Sequence, residues 1–206
     1  MHAGSGPCGS TLLRMLTLQG RDVTLEPLTL EHTAALARIG ASDRDGFAWT
    51  PVPGDIGSMS GYVVSALANR RAGTQVPFAV RYQGELVGST RLMDLTFWHG
   101  RPDPDACEIG STWYAPAARG TTCNPEAKLL LLTHAFETWG CVRVTLKTDE
   151  RNAASRAAIA KLGAHFEGVR RAFDIAVDAT HRNVAYFSIL ADEWPQVRAG
   201  LLRRLT

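Results

Sequence analysis

The sequence has little net charge and no long apolar run. Its 22 lysines and arginines nearly balance 20 aspartates and glutamates, and the formal net charge is +2. Nucleic-acid binding depends on concentrated positive charge, so this balance gives no reason to expect such a partner. No stretch approaches the roughly 20 apolar residues that a membrane-spanning helix requires. We therefore expect neither a nucleic-acid partner nor a membrane partner.

Cysteines are also few, and their spacing excludes the common cysteine motifs. Cys8, Cys107, Cys123 and Cys141 form no CxxC pair and no zinc-ligand spacing. The six histidines are scattered and include no HExxH pattern, so we expect no metal site. Free thiols in a reducing cytosol are the simplest interpretation, and it predicts a cytoplasmic protein.

The length and composition favour one globular domain. The chain has 206 residues, of which 45% are hydrophobic and 20% are charged. Residues 1–14 are small and lack the charged-then-apolar arrangement of a signal peptide. We predict a flexible N-terminal extension over 1–14 and a folded domain over 15–206.

Strand and helix patterns alternate in a mixed order along the chain. A strand over residues 108–115, a helix over 124–139 and a strand over 142–147 can form one right-handed βαβ unit. Two long strands near the C-terminus are joined by a short turn and read as an antiparallel hairpin. This order predicts an α+β, or mixed α/β, single domain.

A loop of small residues precedes the central helix. Asn124 suits a helix N-cap and Pro125 suits the first helical position. Unpaired amides at a helix N-terminus can hold an anion, most often a phosphate. An ordinary strand-to-helix turn is the other interpretation, and these residues alone leave both open.

Four segments together resemble the GNAT superfamily of N-acetyltransferases, and most closely its RimJ/RimL-type branch. In the order and spacing of that family they read "VTLEPLTLEH", "EIGSTWYAPAARGTTCNPEAK", "VTLKTDERNAASRAAIAKLGAHFEG" and "AYFSILADEW". The resemblance implies a GNAT-like domain with a central, mostly antiparallel twisted sheet. It also implies a parallel βαβ cofactor-binding unit, flanking helices, and acetyl-coenzyme A as cofactor.

The resemblance assigns cofactor contacts to two segments. The pyrophosphate would lie on the loop of Arg119, Gly120, Thr121, Thr122, Cys123 and Asn124. The strand that carries Trp113 and Tyr114 would bind the pantetheine through its backbone, while core packing better explains those two side chains. Thr122 stands where the family usually has glycine. Its side chain could crowd the phosphate, or its hydroxyl could donate a hydrogen bond.

Asn152 and Ser155 match the Asn-x-x-Ser pattern of the family. The resemblance implies that Asn152 contacts the pantetheine arm. It also implies that Ser155 lies near the sulfur, where it could protonate the leaving thiolate. The alternative is that both residues only cap the helix.

The attacking amine must lose a proton, and two carboxylates are candidates for the base. Asp174 lies on a strand where the RimJ/RimL branch can carry an acidic residue that faces the substrate. Glu108 begins the strand that leads to the cofactor, although it could also be solvent-facing. Cys123 lies near a helix N-terminus, where a thiol pKa can fall. A small loop-filling role for Cys123 is the better interpretation, because no His–Asp arrangement accompanies it.

The acceptor pocket is the least specified part of the site. The candidate lining residues are Phe47, Trp49, Trp98 and Tyr186, although loop aromatics can equally cover a core. The acceptor would be a primary amine, either a protein N-terminus or a small molecule, acetylated by direct attack on the thioester. A homodimer is compatible with the resemblance. The competing function is a non-catalytic acyl-coenzyme A sensor or partner-docking module.

Overall fold

The computed structural model describes residues 15–206. The predicted extension, residues 1–14, lies outside the described part of the chain. Among these residues, eight strands form one sheet, with the ranges β1 Leu18–Gln19, β2 Val23–Pro27, β3 Val76–Tyr82, β4 Glu85–Thr96, β5 Ala106–Tyr114, β6 Arg143–Asp149, β7 His165–Ile175 and β8 His181–Leu190. Five α-helices accompany the sheet, with the ranges α1 Thr33–Ala41, α2 Ile56–Arg71, α3 Cys123–Thr133, α4 Ala153–Ala160 and α5 Trp194–Arg203.

The sheet confirms the predicted fold class. Its strand order is β1-β2-β3-β4-β5-β6-β8-β7. Within residues 15–206, β5 and β6 form the one parallel pair, and α3 connects them as predicted for a βαβ unit. The β3–β4 hairpin turns at Gln83 and Gly84, which have φ values of 52° and 86°. A positive φ at both turn positions is typical of a type I′ turn, which matches the twist of the flanking strands.

Two buried clusters hold the helices to the sheet. The larger cluster joins α3 and α5 to the strands and includes Phe78, Leu92 and Leu131. The smaller cluster joins α1 and α2 and includes Met59 and Trp113. None of the helices between Met15 and Thr206 has the length and apolar character needed to span a bilayer.

The start of α3 differs from the prediction that Asn124 is its N-cap. The helix begins at Cys123, with Thr122 at the N-cap position. Pro125 therefore lies in the first turn rather than at its first residue. This costs no hydrogen bond, because the first-turn amides have no intrahelical acceptor. The helix also ends in a π-helical turn over His134–Thr138, which the apolar pattern did not predict.

A glycine allows β4 and β5 to approach closely near the end of β5. A methyl group on Gly88 would lie 2.0 Å from the carbonyl oxygen of Trp113. Because the obstructing atom belongs to the backbone, relief of the clash would require the two strands to shift. Gly88 pairs with Tyr114, so the shift would occur where β5 leads into the loop before α3.

We therefore expect Gly88→Ala to lower the free energy of unfolding by about 1–3 kcal/mol, the usual cost of overpacking. Gly61→Ala is the matched control, because Gly61 is exposed on α2 with open space around its Cα. There alanine should stabilise by roughly 0.5–1 kcal/mol. Urea unfolding of the two variants measures both changes. A Gly88→Ala variant as stable as the parent would show that β4 and β5 can move apart at this position without loss of stability.

Candidate active site

The parallel strands β5 and β6 separate after a short paired stretch. They pair at three positions, the last of which joins Glu108 to Thr145. β5 continues to Tyr114 and β6 continues to Asp149, but no pairing between them is present beyond that point. The backbone groups of β5 that face the gap therefore have no strand partner. Such an edge can bind an extended chain as an additional strand would.

A β-bulge lies in β5 where the gap opens. Ser111 has a φ of 48°, and the register between β4 and β5 shifts at this point. The hydroxyl of Thr112 is 2.7 Å from the hydroxyl of Thr90 and accepts a hydrogen bond of 2.8 Å from Nζ of Lys128. Bulges re-aim the backbone groups beside them. Lys128, on α3, thus holds the bulge from the side of the larger core cluster.

Lys128 is itself a buried cation with no acidic partner in the described part of the chain. The side chain is buried, and Thr112 is its hydrogen-bond acceptor within residues 15–206. Burial lowers the pKa of Lys128 to about 7, since a charged ammonium is poorly solvated there.

The loop before α3 presents several unpaired amides. Gly120 has a φ of 74°, which reverses the chain direction without a side chain in the way. The hydroxyl of Thr121 donates to the carbonyl of Ala118 and accepts from the amide of Cys123, at 2.8 Å and 3.1 Å. Within the described chain, no hydrogen bond is made by the amides of Gly120, Thr121, Thr122 and Asn124. These donors, at the positive end of α3, fit an anionic group.

Two loop side chains are held by neighbouring elements. The hydroxyl of Thr122 lies 3.0 Å from the hydroxyl of Tyr82 on β3, so it is engaged within the protein. Arg119 donates from Nε to the carbonyl of Tyr114 at 3.0 Å and forms an ion pair with Asp43. Its guanidinium also lies 4.6 Å from the ring centroid of Phe47. The loop is thus tied to β5 and to the segment after α1.

The side chains of Trp113 and Tyr114 pack in the core, as expected from the sequence. Both residues are buried. The indole of Trp113 donates to the hydroxyl of Tyr62 at 3.1 Å, and the hydroxyl of Tyr114 donates to Oδ1 of Asn124 at 3.3 Å. The Tyr114 contact fixes the first turn of α3 against the end of β5.

Asn152 caps α4, and Ser155 lies one turn into it. Oδ1 of Asn152 accepts from the amide of Ser155 at 2.9 Å, so the capping role is present. The hydroxyl of Ser155, however, makes no hydrogen bond to another residue of the described chain, and the residue is half-buried. Capping uses the amide of Ser155 and leaves its hydroxyl free to contact a ligand.

A cavity of about 310 Å³ lies beside the strand gap and contains Glu108 in its wall. Its other lining residues come mainly from β4, β6, β7 and β8, and they are Asp94, Thr96, Trp98, Ala106, Cys107, Arg143, Thr145, Lys147, Arg170, Phe173 and Tyr186. It brings together carboxylates, cations and aromatic rings. We call it the acceptor cavity below.

Glu108 is a buried carboxyl group with a perturbed pKa. Oε2 of Glu108 forms an ion pair of 2.8 Å with Nζ of Lys147. Burial raises the pKa of Glu108 to about 7; the Lys147 charge partly offsets this, and the Asp94 charge adds to it. Burial acts to lower the pKa of Lys147, but the charges of Glu108 and Asp94 outweigh it and raise the pKa. Perturbed carboxyls of this kind cluster at functional sites.

The other predicted site residues divide between the cavity and elsewhere. Trp98 and Tyr186 line the acceptor cavity, whereas Phe47 and Trp49 do not. Phe47 is buried in the smaller core cluster, with its ring centroid 5.9 Å from that of Trp113. Trp49 lies beneath the guanidinium of Arg151 at 4.3 Å.

Asp174 is exposed on β7, the edge strand of the sheet. Its carboxylate accepts a hydrogen bond of 2.8 Å from the amide of Ile175, and it is not part of the cavity wall.

The environment of Cys123 is that of a buried packing residue and not that of a catalytic nucleophile. Its thiol is buried, and burial raises its pKa to about 12, so thiolate is scarce at neutral pH. Among residues 15–206, no group of three or more histidine, cysteine or acidic side chains could hold a metal ion.

Several residues of the site were not predicted. Lys147, Arg170 and Phe173 line the cavity, and Lys128 supports the bulge. Two of them, Lys128 and Lys147, could have been found in the sequence as lysines next to apolar residues. Lys128 begins the run "KLLLL", and Lys147 ends the strand segment "VTLK". Ionic side chains in such patterns require a buried partner or a functional reason.

The comparison with family models now identifies the chain. Residues 22–165, more than half of the chain, match the model of the acetyltransferase (GNAT) domain. The chain belongs to the GNAT family. It is therefore an N-acetyltransferase that uses acetyl-coenzyme A. No curated protein matches the chain.

Solved structures resemble this GNAT chain over most of its length. A protein from T. thermophilus is 32% identical, with a TM-score of 0.80, and the match covers 92% of this chain and 97% of that one. A GCN5-related N-acetyltransferase from Brucella melitensis is 26% identical, with a TM-score of 0.82 and coverage of 94% and 86%. Mycobacterium smegmatis RimJ in complex with CoA-disulfide is 25% identical, with a TM-score of 0.77 and coverage of 92% and 93%.

Replacement of Lys128 tests the lowered pKa through stability. Between pH 7 and 10.5 the unfolded chain binds a proton at Lys128 that the folded GNAT domain releases. The burial penalty is therefore complete below pH 7 and disappears as pH rises to 10.5. We expect the free energy of unfolding of Lys128→Met, minus that of the parent, to fall across this window by up to about 1.4 kcal/mol per pH unit.

Urea unfolding of both proteins from pH 6.5 to 9.5 measures this difference, and titrations common to both cancel. Lys161→Met is the control, because Lys161 is exposed after α4. Its difference from the parent should stay flat with pH. An equally flat difference for Lys128→Met would show that Lys128 retains an ordinary pKa.

Proposed function

We propose that this enzyme transfers the acetyl group to a primary amine that reaches Glu108 through the acceptor cavity. The observation that carries the proposal is the coincidence of the strand gap and a buried, titratable carboxyl at one point. Glu108 is both the last β5 residue paired with β6 and part of the cavity wall. A group bound along the gap and a group bound in the cavity would therefore meet beside its carboxylate.

Glu108 serves as the general base in this proposal. A pKa of about 7 leaves much of the carboxyl ionised at neutral pH and still basic enough to accept a proton. Lys147 contacts Oε2, so Oε1 is the oxygen available to the amine or to a bridging water. A methyl group on Gly110 would lie 2.7 Å from Oε1, so glycine at this position keeps that oxygen accessible.

The cofactor side is assigned to the loop, the bulge and α4. Bound acetyl-coenzyme A supplies a thioester whose carbonyl carbon the amine attacks directly. The unpaired amides of residues 120–122 and Asn124 would hold the pyrophosphate, and the backbone near the Ser111 bulge would donate to the carbonyl oxygen. Asn152 would contact the pantetheine, and the Ser155 hydroxyl would donate to the sulfur. The acceptor is a small-molecule amine or a protein N-terminus.

The pH dependence of turnover tests the base. We calculate kcat/KM at each pH from the concentration of unprotonated amine, so that titration of the amine itself does not contribute. This kcat/KM of the parent should rise with pH through about 7 as Glu108 ionises, and then level off. Glu108→Gln should lose the rise and roughly 10²–10⁴-fold of the rate. Asp174→Asn is the matched control, and it should keep both the rise and most of the rate because Asp174 is exposed.

The measurement is release of coenzyme A thiol with one amine acceptor from pH 5.5 to 9. If Asp174→Asn abolished the rise and Glu108→Gln preserved it, the base would be Asp174. Equal losses without a pH signature would remove the role from both carboxylates. Catalysis would then rest on orientation and solvent water.

Replacement of Ser155 tests the leaving-group contact. Ser155→Ala should lower kcat by about 10²-fold, the lower end for general-acid assistance, since a thiolate leaves fairly well without help. Binding of acetyl-coenzyme A, measured by calorimetry, should change little because the contact strengthens only as charge develops on sulfur. The Asn152 cap accepts from the backbone, so the variant keeps it. A parallel loss of binding and turnover would instead indicate a uniform binding role.

A further inference from the structure

The acceptor cavity has one cation more than it has carboxylates. Its charged lining residues are Asp94, Glu108, Arg143, Lys147 and Arg170. Two of the cations have acidic partners, since Arg143 pairs with Glu167 and Lys147 pairs with the two lining carboxylates. Arg170 has no carboxylate within ion-pair distance in the described chain. It is therefore the cation whose charge the protein leaves uncompensated.

Arg170 is nevertheless held in place. Its guanidinium carbon lies 4.3 Å from the ring centroid of Phe173 and 5.3 Å from that of Tyr186. Nη1 donates a hydrogen bond of 3.1 Å to the Tyr186 hydroxyl. A guanidinium has five N–H donors in a planar fork, so most of them remain for another acceptor. Two rings and one hydroxyl thus orient a charged fork at the cavity wall.

The sheet separates this fork from Glu108 by a defined number of strands. Tyr186 on β8 pairs with Lys147 on β6, and Lys147 contacts Glu108 on the neighbouring β5. Adjacent strands lie about 4.8 Å apart, so two spacings place Tyr186, whose hydroxyl accepts from the fork, about 10 Å from Glu108. One molecule of moderate length can therefore reach both groups.

We propose that the preferred acceptor is an amine with a carboxylate about 10 Å from its nitrogen, and that Arg170 binds this carboxylate. The position of the amine rests on the proposed function, whereas the anion subsite rests on Arg170, Phe173 and Tyr186. A guanidinium fork suits a carboxylate because it can donate two parallel hydrogen bonds.

Two sources can supply such an acceptor. In an extended peptide, at about 3.3 Å per residue, an acidic third residue lies at this distance from the N-terminus. A straight-chain amino acid of similar length presents the same two groups. Matched probes separate the sources: Ala-Ala-Asp-amide against Ala-Ala-Asn-amide, and 8-aminooctanoate against octylamine.

The experiment compares kcat/KM within each probe pair for the parent, Arg170→Gln and Arg171→Gln. The parent should favour the anionic member by about tenfold in at least one pair, as expected for a charge-assisted hydrogen bond near solvent. Arg170→Gln should abolish that preference, so that kcat/KM values of the two members of each pair agree within about twofold. Arg171→Gln should keep the preference, because Arg171 is exposed and outside the cavity wall.

A preference in the peptide pair alone identifies an acidic peptide as the source, and one in the amino acid pair alone identifies a small molecule. The inference is overturned if the parent shows no preference in either pair, or if the preference survives in Arg170→Gln. Absence of turnover with all four probes would contradict the proposed function and not the subsite. Calorimetric binding of 8-aminooctanoate and octylamine to the parent and Arg170→Gln then tests the subsite directly, and equal affinities overturn it.

Discussion

The separation of β5 from β6 after Glu108 is the feature on which the rest of the site depends. Hydrogen bonds that continued the parallel ladder would satisfy the backbone and close the gap. The ladder is instead interrupted, and β5 remains held through its other edge by β4. This one-sided support keeps the strand in place while its second edge stays available. The bulge at Ser111 stands at the same point and turns backbone groups out of the regular pleat.

Two buried ionisable groups flank this opening, and their burial is costly. Glu108 and Lys128 reach the same pKa, about 7, from opposite directions, and burial is the first cause for both. Neither residue contributes to stability as an apolar side chain of similar size would. Lys147 offsets part of the penalty for Glu108, whereas Lys128 has a threonine hydroxyl as its hydrogen-bond partner. Their presence is explained better by the proposed chemistry of the site than by the packing of the core.

Much of the fold follows from local signals in the sequence. The βαβ unit, the β7–β8 hairpin and the Asn152 cap each depend on a few neighbouring residues, and the sequence predicted all three elements. The position of the helix start did not follow, because proline is tolerated throughout the first turn. The strand gap did not follow from local signals either, since it depends on where pairing stops between strands joined by a whole helix. The family resemblance implied it instead, because it assigned pantetheine binding to the backbone of the strand that carries Trp113 and Tyr114.

The sequence predicted the parts of the candidate site that are formed by backbone groups better than the parts formed by side chains from distant segments. The loop before α3 was found from its composition and its position ahead of a helix. Phe47 and Trp98 looked alike in the sequence as loop aromatics, yet one is buried against Trp113 and the other lines the cavity. Arg170 lies in an exposed pair of arginines, and only its contact with Phe173 and Tyr186 distinguishes it from Arg171.

In the proposed function, the β7–β8 hairpin separates the residues that select the acceptor amine from the residues that bind the cofactor. The stretch that matches the GNAT domain model ends at residue 165, where β7 begins. Arg170, Phe173 and Tyr186 all follow it, although they face a cavity whose proposed base, Glu108, lies within the matched stretch. An exchange of this hairpin between relatives would therefore replace one wall of the acceptor cavity. The loop before α3, the bulge and the base would remain as they are, so new specificities can arise on an unchanged catalytic unit.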